Sequence, residues 1–184
     1  VKKLILPALL LAVGLAPEIS QAQLFHGARP VGHKTFAFGG FGSFVFAPAA
    51  EFMAVGTAEF GIGSRFQLEA RLGVGTLPIY GAFFMQYQFL ASNIVDVGLW
   101  GGYHYQGAHH LSLAIPVSHT FRRVEVYGAP LLQAAFSDLG SRYGIGFIAG
   151  MDVILAKQLR LFLEFTLGIS PILNSGSLGA KFYL

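Results

Sequence analysis

Along Gly176-Ser177-Leu178-Gly179-Ala180-Lys181-Phe182-Tyr183-Leu184 the side chains alternate in type, one residue at a time. Successive side chains of an extended chain point to opposite faces. Leu178, Ala180, Phe182 and Leu184 therefore share one face, and Ser177, Lys181 and Tyr183 share the other. A strand carrying this pattern to the last residue needs a neighbour for its backbone groups, and a closed barrel supplies one. The same period recurs at residues 65–72, where Phe66, Leu68, Ala70 and Leu72 oppose Arg65, Gln67, Glu69 and Arg71. It recurs again at 159–167, where four Leu and Phe165 oppose Arg160, Glu164 and Thr166. A helix period fits none of these segments.

With these segments as templates, about ten strands are predicted, at 34–47, 50–62, 65–76, 79–90, 93–106, 109–119, 122–136, 142–155, 158–170 and 176–184. Eight is the alternative, should 34–47 and 109–119 not form strands. Turn residues separate the segments: Pro48, Gly63-Ser64, Pro78, Ser92-Asn93, Ser137 to Ser141 and Asn174-Ser175-Gly176. Pro116 and Pro130 fall inside two of them. Proline removes a ladder donor, so a bulge is expected at each. The longest connections, Ser137–Arg142 and Ser170–Ser175, are short. That leaves little on which to build the loop sites of adhesins, receptors or proteases.

Composition decides what surrounds the strands. The chain of 184 residues is 54% hydrophobic and 11% charged, against a usual charged share of about 25%. Beyond residue 15 no apolar run reaches the length of a spanning helix. High hydropathy without long apolar runs is expected of a barrel whose outer wall meets lipid and whose inner wall is polar. Aromatic residues fall into two bands. Phe36, Phe38, Phe60, Phe66 and Phe89 lie near one end of the strands, and Phe44, Phe46, Phe52, Tyr103 and Tyr105 near the other. Rings gather in this way at the two bilayer interfaces.

Both ends of the chain carry a recognisable pattern. Ser177, Gly179, Phe182 and Leu184 resemble the C-terminal sorting signal of bacterial outer-membrane β-barrel proteins, although that family usually ends in Phe. Lys2 and Lys3, the apolar stretch Leu4 to Leu15 and the small-x-small site Ser20-Gln21-Ala22 form the pattern of a cleaved secretory signal peptide. The expected organisation is a signal peptide at 1–22, a periplasmic lead or lumen plug at 23–33 and a barrel at 34–184. Without Lys2, Lys3 and Glu18, ten basic and eight acidic residues remain, a net charge of +2. No basic cluster points to nucleic acid. The absence of cysteine excludes a disulfide framework and thiolate metal sites.

Strand parity places twelve charged residues in the lumen: Glu51, Glu59, Arg65, Glu69, Arg71, Asp96, Arg123, Glu125, Asp152, Arg160, Glu164 and Lys181. With a tight turn at Ala156, Asp152 is expected opposite Arg160. These charges either form structural ion pairs in a filled lumen or line a water-filled pore. Small barrels are largely filled by their own side chains, which favours the first reading. Inward glycines, among them Gly73, Gly98, Gly102, Gly146 and Gly150, leave space that keeps a narrow pore open as the second.

The histidines suggest other chemistry. His110-Leu111-Ser112 with downstream Glu125 is similar to the His-x-Ser and Glu of the outer-membrane lipid A deacylases. That resemblance implies Ser112 as nucleophile, His110 as base and Glu125 as its orienting carboxylate. The family has Asn after its Ser, where this chain has Leu113, and parity turns Ser112 inward, away from lipid. A metal site at His104, His109 and His110 is disfavoured, because neighbouring strand residues point to opposite faces. Trp100 is expected to pack inward. No cofactor and no metal is implied.

The chain thus resembles small outer-membrane β-barrel proteins: all-β, antiparallel, up-and-down and transmembrane. The resemblance implies residence in the bacterial outer membrane, contact with its lipid and lipopolysaccharide, and delivery by periplasmic chaperones and the barrel-assembly machinery. The expected role is structural, or that of a narrow passive pore for small solutes. The alternative is a lipid A-modifying hydrolase.

Overall fold

The alternating segments become strands with little loss at either end. A computed structural model of the chain describes residues 27–47, 50–76, 79–138, 140–169, 172 and 174–184. The predicted signal peptide and residues 23–26 lie outside the described residues. Eleven strands follow in order: β1 (Phe36–Ala47), β2 (Glu51–Ile62), β3 (Phe66–Gly75), β4 (Tyr80–Ala91), β5 (Asp96–Tyr105), β6 (His109–Ala114), β7 (Val117–Phe121), β8 (Val124–Ser137), β9 (Gly140–Ala156), β10 (Leu159–Gly168) and β11 (Asn174–Tyr183). Both β6 and β7 lie between β5 and β8, so they are two halves of one wall strand. The wall therefore has ten members, each antiparallel to its neighbours in sequence, and β1 pairs with β11 to close it. Among the described residues no sheet edge is left unpaired. The barrel end where β1 begins and β11 finishes is called the terminal end below, and the opposite end the far end.

The prolines do not produce the expected bulges. The registers Ala114↔Leu131 and Val117↔Gly128 belong to one uninterrupted alignment, as do Trp100↔Ala114 and Val97↔Val117. The chain keeps step across Ile115-Pro116, and only ladder pairing lapses there. The Ile115 N–H still donates to the Pro130 carbonyl at 3.3 Å. A residue in an antiparallel ladder offers its N–H and its C=O to the same neighbour. The donor that Pro130 lacks would therefore point at the break between β6 and β7, where little is lost. Register shifts occur instead at Val45/Ala47, Gln88/Leu90 and Leu159/Arg160.

The predicted six-residue connection Ser137–Arg142 is shorter than expected, because β8 runs to Ser137 and β9 starts at Gly140. Gly140 has φ of 118°, a conformation open to a residue without Cβ, and this lets the chain reverse at once.

Parity is kept around the wall. Leu72, Ile145, Leu132, Leu178 and Phe165 stand exposed on the outer face, while the inward positions are buried. Rings band the outside as expected. Phe36 and Phe60 are cross-strand partners at the terminal end, with centroids 6.3 Å apart. Phe44 and Phe52 are partners at the far end.

Candidate functional site: the barrel lumen

Inward parity gathers polar and aromatic side chains along the barrel axis. At the middle, Arg71 and Glu69 are two residues apart on β3 and form a bidentate pair, Nε–Oε1 at 2.6 Å and Nη2–Oε2 at 2.9 Å. The guanidinium also lies 4.6 Å from the centroid of Phe84, and Phe84 stacks on Trp100 at 4.2 Å. A planar cation between a carboxylate and a ring has both its charge and its faces satisfied. Beside this stack, the Tyr127 hydroxyl donates to Glu164 at 2.9 Å. Glu59, Glu69, Arg71, Asp152, Glu164 and Lys181 are each no more than 2% exposed. Buried charges require partners, and Lys181 Nζ lies 2.6 Å from Glu59 Oε1.

The inward glycines do not leave open space. A Cβ at Gly150 would fall 2.3 Å from the Tyr127 ring, and one at Gly179 2.5 Å from the Phe162 ring. A Cβ at Gly102 would meet Phe84 at 2.6 Å. Gly102 and Gly150, two of the gaps read from sequence, are thus seats of aromatic rings from the next strand, while Gly73 meets Val55 and Met53, Gly98 the Ala28 carbonyl and Gly146 the Ile172 side chain.

The terminal end is occupied by the segment that precedes β1. The Ala28 N–H donates to Ser118 Oγ at 3.0 Å, and the Val31 N–H to Gln67 Oε1 at 2.7 Å. Gln86 donates to the Gly27 carbonyl at 3.0 Å. Arg29 pairs with Asp96 at 2.5 Å, and Gln88 donates to the same carboxylate at 3.0 Å. Gly27 packs so closely on Glu125 that a Cβ there would overlap the carboxylate. Residues 27–31 thus lie inside the barrel mouth, bonded to four of its strands.

Ten of the twelve predicted lumen charges point inward, with Glu51 half-buried at the far rim. Arg65 and Arg123 do not. Strand parity applies only within strands, and these two fall in the turns between β2 and β3 and between β7 and β8, both exposed. Asp152 is opposite Phe162 rather than Arg160, because the β9–β10 turn is centred on Lys157-Gln158 and a register shift follows it. Arg160 instead reaches Glu125 at 3.6 Å and, diagonally, Asp152 at 3.9 Å. Arg29, Tyr127, Phe84 and Phe162 are lumen residues beyond the twelve predicted charges. The last three were legible by parity, since Phe162 alternates in step with Arg160 and Glu164.

The histidines are dispersed. His104 and His110 are cross-strand partners and stack at 4.7 Å inside the far end. His109 points outward to the Tyr103 hydroxyl at 2.6 Å. His33 accepts from the Gly63 N–H at 3.0 Å, and His119 bonds the Ile94 carbonyl. Among the described residues no group of three or more His, Asp or Glu is placed to hold a metal ion. Of the candidate acyl-transfer residues, His110 and Ser112 share the inward face of β6, but Glu125 stands apart from them. Ser112 faces Gln133 on β8 and accepts its amide at 3.1 Å. Glu125 is eight residues further along β8, about 26 Å away at roughly 3.3 Å per residue.

No protein-family model and no curated protein matches the chain. Among solved structures it is similar to the NanC porin, with 7% identity and a TM-score of 0.56 over 79% of this chain and 98% of that one. It is similar also to a bacterial polysaccharide outer membrane secretin, with 8% identity and a TM-score of 0.51 over 82% of this chain and 65% of that one. At these identities the likeness is one of fold: a closed, antiparallel transmembrane β-barrel.

Proposed function

We propose that this chain is an integral barrel of the bacterial outer membrane with a closed lumen and a structural role in the envelope. One observation carries the reading: the inward side chains that would line a channel are shielded from water. A conducting lumen leaves its polar lining hydrated. Here Arg71, Trp100, Phe84 and Tyr127 meet across the middle, and residues 27–31 fill the terminal mouth. The apolar outer wall is then solvated by outer-membrane lipid and lipopolysaccharide. Ser177, Gly179, Phe182 and Leu184 serve as the sorting signal read by the assembly machinery, after removal of residues 1–22.

Single-channel recording of the purified protein in a planar bilayer tests the closed lumen. Wild type should be silent. Trp100→Ala together with Phe84→Ala removes the central stack and should admit discrete current steps. Discrete steps from the wild type would refute the reading and return the lumen charges to the role of a selectivity filter.

A further inference from the structure

A barrel wall is convex outside, yet the outer face of β4, β5, β6, β8 and β9 holds a groove of about 890 Å³. Its cause is local. Gly101 lies outward at the groove and presents no side chain, and Ala134 two strands of wall away presents only a methyl. Around this low ground stand Phe83, Met85, Tyr103, Leu113 and Tyr143. The lining runs from residue 83 to 87 on β4, about 13 Å at roughly 3.3 Å per residue. It crosses four inter-strand steps, about 19 Å at roughly 4.8 Å each.

We infer that this groove seats the acyl chains of a membrane lipid. The inference rests on the membrane reading of the wall given above. The groove opens on the apolar belt, where hydrocarbon is the surrounding solvent. Its far end is different: there the Tyr103 hydroxyl bonds His109 Nδ1, Tyr105 packs on His109 at 5.3 Å, and Tyr143 is 75% exposed. Phenols and an imidazole at the rim, above Met85, Leu99, Leu113 and Ile145, match the order of a lipid from headgroup to chain. A side-chain row in a convex second barrel would meet the raised rings first. A flexible chain follows the low ground between them.

Native mass spectrometry of the detergent-purified protein, mixed with dipalmitoyl phosphatidylethanolamine, reads this directly. Wild type should retain a bound lipid through detergent removal. Ala134→Phe, which raises the floor, should lose it, and Leu178→Phe on the opposite outer wall should keep it. Should Ala134→Phe not fold, Tyr143→Ala removes an exposed groove ring and should lower the lipid-bound fraction. Wild type without retained lipid, or Ala134→Phe retaining as much as wild type, would overturn the inference. So would a dimer mass that disappears in Ala134→Phe, which assigns the groove to a second copy. Heat-modifiable migration on gels is read in parallel. Its absence in the wild type would refute the membrane reading itself, whereas its presence with no retained lipid would refute only the groove.

Discussion

Replacing Lys181 by Met should destabilise the barrel far more than removal of a surface charge would. Lys181 Nζ lies 2.6 Å from Glu59 Oε1, and each residue is 1% exposed. Met nearly matches the lysine stem in shape, so the main effect is electrostatic: Glu59 stays buried without its cation. Gln67 still donates to Glu59 Oε2 at 3.3 Å, a long bond that compensates only in part. Breaking a buried pair on one side costs about 3–5 kcal/mol, whereas exposed pairs contribute about 0–1 kcal/mol. The double substitution Lys181→Met with Glu59→Gln removes both charges. It should recover most of the loss, because replacing a whole buried pair is often neutral or stabilising by about 1–4 kcal/mol.

Urea unfolding of the protein in phospholipid vesicles measures this, with Trp100 as the reporter. It is the only tryptophan, fully buried and stacked on Phe84, so its emission follows the lumen. The reasoning fails if Lys181→Met costs under about 1 kcal/mol, the range of a solvated pair. It fails too if the double variant is as unstable as the single one. The first result would mean that water reaches Glu59 and that the lumen is not closed at the terminal end; the second, that the loss comes from packing around residue 181 rather than from an unpaired charge.

Gly150→Val should cost about 1–3 kcal/mol by overpacking, since its Cβ would overlap the Tyr127 ring that donates to Glu164; thermal unfolding monitored by circular dichroism checks it, and unchanged stability would mean that the ring is free to move. Arg65→Ala and Arg123→Ala, both in exposed turns, should stay within about 0.5 kcal/mol of wild type in the same urea assay that separates Lys181→Met.

How far the sequence reveals this structure depends on whether a feature follows from parity. Parity is local, and it correctly turns Glu59, Glu69, Arg71 and Asp152 inward from their neighbours alone. It stops where a strand stops, which is why it misplaces Arg65 and Arg123 in the lumen although the chain has already left the ladder there. Register is not local. Asp152 and Arg160 share a hairpin, yet their pairing depends on where the turn is centred and on one register shift, and neither has a distinctive composition. The fate of the glycine gaps was least legible. Gly150 reads as space, and only the register that sets Tyr127 against it shows that the space is taken. Residues 27–31 have no periodic pattern at all, so nothing in them marks Arg29 as the partner of Asp96.

Why a barrel proposed to be closed should be polar within has a physical answer. A strand apolar on both faces reads as a continuous hydrophobic run, and adjacent runs would approach the length at which a chain inserts as a helix. Alternating Gln67, Glu69 and Arg71 with apolar residues keeps β3 below that limit. The cost is a set of buried charges, each of which must then meet a partner: Glu69 its arginine, Glu59 its lysine, Asp96 the arginine of the entering segment. On this view the polar interior is selected for how the chain reaches the membrane rather than for stability once there. A lumen with one ion pair neutralised, as in the Lys181→Met and Glu59→Gln double variant, is then free to be as stable as the wild type, because the ion pair it replaces never had to contribute more than its own desolvation cost.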